Sequence, residues 1–563
     1  MKHIFRLALF ITAVVYVLTC FLLPVEWDSY DGFIAHLVSG IATRNTVKET
    51  YLGLLYLTPV FTSLQMQFGS IPWLCIVVMF LFFLANSILV FIVLDTLRIK
   101  LKVLNLRLLL IAFIPLFFII QFPSVSKPSL TGLSFILCGS AVLLVHHFAF
   151  KNLHYLIRIG VYLLAIFMYW CGSCVRYDSA LAAAFLITVY VLLSSPKPIK
   201  SIIAGMPLLI VATISIGLAL HKINEIPFVR DVEPQLFYLG DGVNENNLYE
   251  GLSERDSMKT LAVKNFYLND EEELNMGFIK MLARKKIAAE KKTDITFLSR
   301  LSVAWLIAAP TIKANFQYLF LNLFLLLLVF ATNSLNKFRL LVFQIMFWVI
   351  IFTVAYLAKL EDRHYIYMAQ LFSYGNLLFC LQNAKEEWLT GKWPYLGIAF
   401  TTLLFFFLAY NLHAESSEVK NQLVNLDLAE KEIDSMAKGK ILLLDRESKG
   451  IYYGTPFTIR KFSTPQKIVY YDMGHLALLP EYNQYLDNLC SCNSRRMVEF
   501  YQYLFQHRKE VLLISTDSRV AFTKSYLQIV HGKNLVVQKV AGTFAIQNIQ
   551  STNEPLYYYQ IGE

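Results

Sequence analysis

The chain has 563 residues, of which 56% are hydrophobic, 15% aromatic and only 16% charged, and its mean hydropathy is +0.51. Length and composition together exclude a soluble protein of ordinary make-up. The formal net charge of +10 is spread over short loops rather than gathered on one face with interleaved aromatics, so nothing points to a nucleic-acid partner.

Apolar runs long enough to cross a hydrocarbon core of roughly 30 Å fall at about 5–24, 72–97, 105–122, 130–148, 157–174, 179–194, 200–220, 314–332, 338–358, 366–383 and 394–412. The expected fold is an α-helical polytopic membrane protein with about eleven spans, interfacial helices and a C-terminal soluble α/β domain. Lys and Arg collect on the loops that place the N-terminus in the cytoplasm, such as Arg98, Lys100, Lys102 and Arg107. An odd number of spans then puts the C-terminus outside. Pro24-Val25-Glu26-Trp27 offers no small-residue cleavage site, so the first span reads as a retained helix.

Between the first and second spans lies an outer loop, 26–69, carrying Trp27-Asp28-Ser29-Tyr30-Asp31. Carboxylates at a bilayer edge must be kept wet, paired or used. Asp31 opens an amphipathic stretch to Ser39, and the apolar run at 52–59 is broken by Pro59. Both read as interfacial helices. Ser126-Lys127-Pro128 forms a short outer loop, and Arg176 with Asp178 closes a tight hairpin between the fifth and sixth spans. The plain account of that last pair is an ion pair, and of Lys127 a loop lysine.

A second outer loop, 221–313, is helix-like and charge-rich over 254–292. Asn269-Asp270-Glu271-Glu272-Glu273 is read as the acidic first turn of a helix, and Arg284 to Lys292 as a solvated basic face. Glu361-Asp362-Arg363-His364-Tyr365 precedes a late span. The tail, 415–563, changes character: β-rich runs at 440–444, 467–471, 511–515, 535–540 and 555–559 alternate with helical stretches such as 494–506. It has neither a GxGxxG fingerprint nor a Walker A lysine. Cys171 and Cys174 read as buried free thiols, and Cys490 and Cys492 as either a disulfide or free thiols. No His or Cys lies at metal-ligand spacing.

The plan of 1–412 resembles the GT-C membrane glycosyltransferases, similar in outline to lipid A aminoarabinose transferase and the protein O-mannosyltransferases. The residues that carry the resemblance are Asp28 to Gly40, similar to the family's acidic motif running into an amphipathic helix, and Glu361 to Tyr365, similar to its Arg-Tyr motif. In this chain His364 separates Arg363 from Tyr365.

The resemblance implies a transferase of a bacterial inner membrane. It would move a sugar from a polyprenyl-phosphate donor to a hydroxyl of a glycan, lipid or protein acceptor on the outer leaflet, by one inverting displacement. Asp31, ahead of Asp28, would be the base. Arg363, Arg176, Lys127 and Tyr365 would hold the donor phosphate. No cofactor is certain, and a divalent cation stays open. The alternative readings are a lipid-linked glycan flippase or scramblase, or an O-antigen polymerase or ligase-like protein. Coupled transport is disfavoured because ionisable residues such as Asp95, Lys359 and Glu361 sit at span ends rather than mid-membrane.

Overall fold

The structure, a computed structural model, describes residues 2–27, 31, 34, 54, 57–68, 71–100, 106–149, 151–152, 154–195, 197–225, 249, 251–265, 267–268, 270–292, 297–331, 337–357, 361–383, 393–436, 439–445, 467–471, 480–540 and 554–562. Among them, eight helices are each long and apolar enough to cross a membrane, or nine if one bent pair is a single span. Their outward faces carry large apolar side chains such as Phe21, Leu163, Ile203 and Phe406, the surface expected of an α-helical membrane protein.

In chain order the helices are α1 (Lys2–Leu22), α2 (Thr58–Gln67), α3 (Trp73–Lys100), α4 (Leu106–Gln121), α5 (Pro123–Ser126), α6 (Leu130–Ala149), α7 (Tyr155–Val175), α8 (Tyr177–Ser194) and α9 (Pro198–Glu225). After these come α10 (Glu254–Lys264), α11 (Met276–Lys292), α12 (Phe297–Ala314), α13 (Phe316–Ala331), α14 (Lys337–Leu357), α15 (Asp362–Asn383) and α16 (Trp393–Met436). The run expected at 105–122 forms a helix of 16 residues, about 24 Å at 1.5 Å per residue. The run at 314–332 is one arm of the bent pair, which turns by 89°. Pro59 opens α2 instead of breaking a helix, because its missing N–H costs nothing in the first turn. Most of the amphipathic stretch after Asp31 lies outside the described residues.

Helix α15 runs through the centre of the bundle, buried from Tyr367 to Leu381. Its polar residues are cross-linked. Ser124 Oγ donates to Gln370 Oε1 at 3.0 Å and Gln370 Nε2 to Asn86 Oδ1 at 2.9 Å. Farther along, Asn376 Nδ2 donates to Asn322 Oδ1 at 2.7 Å and Asn322 Nδ2 to Ser373 Oγ at 2.9 Å. Each such bond contributes about 0.6 kcal/mol on average between membrane helices. Helix α6 can approach α15 closely because it carries glycine there. A Cβ on Gly132 would stand 2.1 Å from the Tyr367 ring, and one on Gly139 2.6 Å from Leu371.

The tail contains a five-stranded sheet whose strands fall within or beside the β-rich runs: β1 (Ile441–Leu444), β2 (Lys467–Tyr470), β3 (Val511–Ser515), β4 (Val537–Lys539) and β5 (Tyr557–Ile561). The order is β2-β1-β3-β5-β4. β1 pairs in parallel with both β2 and β3, and β5 runs antiparallel to β3 and β4. Three helices accompany it, α17 (Pro480–Cys490), α18 (Met497–Gln506) and α19 (Asp517–His531). Cys490 and Cys492 are disulfide-bonded, and Cys171 and Cys174 are buried free thiols.

The division expected near residues 412–415 does not fall in a linker. Helix α16 continues unbroken for 44 residues. Its Leu404, Leu408 and Leu412 belong to the bundle core, and its Leu426, Ala429 and Ile433 to the sheet's core.

The second loop also joins the tail. Residues of α10 and α11, among them Val263, Phe278 and Leu282, share one apolar cluster with Met497, Tyr526 and Val530. The acidic run is not the first turn of a helix, since α11 starts at Met276 with no acidic residue in its first turn. Instead Asp270 turns inward, fully buried, and its Oδ2 accepts from Tyr526 Oη at 2.8 Å and meets His531 Nε2 at 2.6 Å. Glu271 and Glu272 pair with Arg495 and Arg496 at 3.2 and 3.3 Å. Of the basic cluster, Arg284 is exposed and Lys285 half-buried.

Candidate functional site

The first turn of α6 organises one end of the bundle. A helix start leaves backbone N–H groups without helical partners. Here Ser129 Oγ accepts from Gly132 N at 2.9 Å, and the Leu130 N–H donates to Asp31 Oδ2 at 2.8 Å. Asp31, 3% exposed, therefore reaches α6 from the loop after α1. That loop is held close by other contacts, since Glu26 N donates to Ser126 O at 2.9 Å and Leu54 N to Val175 O at 3.0 Å.

Arg176, between α7 and α8, is tied to the same turn. Its Nη1 donates to Thr131 Oγ1 at 3.1 Å, and its backbone oxygen accepts from Ser134 Oγ at 2.7 Å. Its guanidinium forks onto Asp178 with bonds of 3.2 and 2.9 Å, the bidentate geometry that makes such pairs strong. Arg363, at the start of α15, pairs with Glu361 at 2.5 Å.

These groups act on one another. Burial pushes the Asp31 carboxyl above the usual aspartate range, Arg363, the Leu130 N–H and Arg176 pull it back, and Glu361 pushes it up again. Desolvation wins, which leaves a carboxyl that takes up a proton more readily than a surface aspartate does.

Thus Asp31, Arg176 and Arg363, 332 positions apart at their extremes by numbering (363 − 31), converge on one electrostatic cluster. The Lys127 ammonium is 3.5 Å from Glu26 and largely exposed. Tyr365 is a core residue, 1% exposed. The phenol that reaches the Lys127 loop belongs to Tyr367, which donates to Lys127 O at 3.0 Å. Asp28 lies outside the described residues. Thr131 and Glu26 are the participants that sequence reasoning missed. Pro128-Ser129-Leu130 does spell a helix start, but nothing local indicates that an aspartate 99 positions away completes it.

Among the described residues no group of three or more His, Cys, Asp or Glu is placed to hold a metal ion. Of the carboxylates here, Asp178 and Glu361 are paired with guanidiniums, and Asp31 accepts from the Leu130 N–H.

In comparisons with known proteins, no family model matches the chain, and no curated protein or solved structure matches it either.

Proposed function

We propose that the chain is a GT-C-like glycosyltransferase that moves a sugar from a polyprenyl-phosphate donor to a hydroxyl acceptor at the outer face of a bacterial inner membrane. In this reading 1–412 is an eleven-span membrane domain with a cytoplasmic N-terminus, and 415–563 is an α/β domain outside. The observation that carries the reading is the buried Asp31 at one end of the bundle, its carboxyl subject to the charges of Arg363 and Arg176.

Sugar transfer from a lipid phosphate needs a proton acceptor for the incoming hydroxyl and fixed positive charge for the departing phosphate. Asp31 is the acceptor: the hydroxyl proton passes to its carboxylate as the oxygen attacks the sugar carbon. The bond to the phosphate oxygen breaks on the opposite face, inverting that carbon. Arg363 and Arg176 meet the charge left on the lipid phosphate. A guanidinium has five N–H donors, so each can hold its carboxylate partner and still address a phosphate oxygen. Acceptor class and sugar identity follow from neither residue.

The test is transfer from a purified polyprenyl-phosphate sugar by the full chain in nanodiscs, comparing wild type with Asp31→Asn and Arg363→Ala. Strong loss in both variants is the expected result. Wild-type protein that moves lipid across the bilayer yet transfers no sugar would sink the reading in favour of a scramblase.

A further inference from the structure

The helices that meet at Asp31 also enclose a cavity at their other end. Its volume is about 390 Å³. Helix α6 leads there directly, with His146 and His147 in its last turn. His146 is 16 residues beyond Leu130 (146 − 130), so about 24 Å separates this cavity from the Asp31 contact along α6.

The cavity is lined by one fixed cation, by polar side chains such as Ser194 and Gln382, and by apolar ones. Arg339, exposed and in the first turn of α14, contributes a guanidinium that stays charged at any accessible pH. Tyr190 Oη donates to Gln382 Oε1 at 3.5 Å, so the remaining capacity of that amide is largely its N–H donors. Ile92, Leu143 and Leu378 supply an apolar floor.

No carboxylate is among the described lining residues. The acidic residue beside them, Asp95, is engaged by His147 Nε2 at 2.9 Å and by the Lys151 ammonium, so its charge is matched. Helices α6, α8 and α15 all end here, and helix C-termini by themselves favour cations. The fixed charge that offsets this preference is Arg339, helped by the N-terminal end of α14.

We propose that this cavity binds a phosphate group, carried by a small soluble molecule or by a lipid headgroup, at a site separate from Asp31. A planar guanidinium fork matches phosphate oxygens two at a time, neighbouring neutral donors complete the shell, and the apolar floor accommodates the organic part of the ligand.

The experiment follows thermal unfolding of the full chain in phosphatidylcholine nanodiscs, with inorganic phosphate titrated in one arm and phosphatidate added to the bilayer in the other. Saturable stabilisation is expected in at least one arm, and the arm that shows it identifies the source of the phosphate. Arg339→Gln should weaken that binding by about tenfold or more, while Arg339→Lys, which keeps the charge without the fork, falls between it and wild type. Arg363→Gln should leave it in place. Because Arg339 is exposed, its variants should match wild type in melting temperature without ligand. The proposal is overturned if neither arm stabilises the protein, if Arg339→Gln binds like wild type, or if the binding is lost only with Arg363→Gln, which would assign it to the Asp31 end.

Discussion

Asp31 and Leu130 are joined by a hydrogen bond of 2.8 Å from the Leu130 backbone to the Asp31 carboxylate, so one aspartate both caps a helix and feels the charges of Arg363 and Arg176. The two roles separate by substitution. Asn keeps an oxygen that can accept the Leu130 N–H but cannot take up a proton; Ala loses both. Asp31→Asn should therefore lower sugar transfer by about 10²–10⁴-fold with little change in melting temperature. Asp31→Ala should lose transfer equally and also destabilise the fold by about 1 kcal/mol, the usual cost of a lost cap. Equal stability of the two variants would remove the capping role, and full transfer by Asp31→Asn would remove the base.

A second expectation concerns pH. The folded-state pKa of Asp31 is raised, and a base works only when ionised, so the acid limb of the transfer rate should have its midpoint above the usual aspartate range. Arg363 pulls this carboxyl down; its removal in Arg363→Gln should move the midpoint to higher pH. For stability the sign is the same as for any group with a raised pKa: the folded state holds the proton more tightly, so the contribution of Asp31 is present at low pH and is lost as pH rises through its folded pKa. A pH-rate series on wild type and Arg363→Gln decides the matter, and a midpoint that moves down in the variant contradicts the cluster.

Gly132 has no room for a side chain, with the Tyr367 ring 2.1 Å from where its Cβ would be. Gly132→Ala should force α6 and α15 apart at the turn that holds Asp31, costing about 1–3 kcal/mol and reducing transfer along with it. Gly160, which faces open space, is the control: Gly160→Ala should be neutral or mildly stabilising. Comparable melting temperatures for both alanine variants would contradict the close packing.

Asp270 binds the second loop to the tail. Asp270→Ala leaves the Tyr526 hydroxyl and His531 without their shared carboxylate, and should cost about 1–3 kcal/mol. Protease cleavage within 254–292 should quicken in parallel, and cleavage at the wild-type rate would mean that the loop is held elsewhere.

Tags test the proposed orientation. One inserted near Lys100 should report the cytoplasm and one after Glu563 the opposite side. A cytoplasmic report from the C-terminal tag would move Asp31 to the wrong face for an outer-leaflet donor.

Local patterning made most of the apolar helices and the five strands legible, because hydropathy and alternation are properties of neighbouring residues; α12, most of it within the stretch read as the second outer loop, instead joins the bundle core through Ala304, Ala308 and Ile312. Helix α15 was legible as a helix but not as the bundle's polar spine: Gln370, Ser373 and Asn376 declare their importance only through partners on α3, α5, α13 and α14. The candidate site behaves similarly. Asp31, Arg176 and Arg363 could be nominated from their positions at span ends, whereas the pairing of Lys127 with Glu26 and the burial of Tyr365 depend on side-chain directions that spacing does not encode. The acidic run at 269–273 was misread for the same reason, since what Asp270 meets lies in α19.

The unbroken α16 sets the phase of the tail. A helix advances about 1.5 Å and turns about 100° with each residue, so with its lower part gripped by the bundle and its upper part by the sheet, the angular bearing of the sheet is fixed by the number of residues between Leu412 and Leu426. Deleting one residue there would swing the sheet by about 100° while lowering it hardly at all. Such a swing would set the sheet against the anchorage of the second loop, so the length of this stretch is tuned to angle far more than to height.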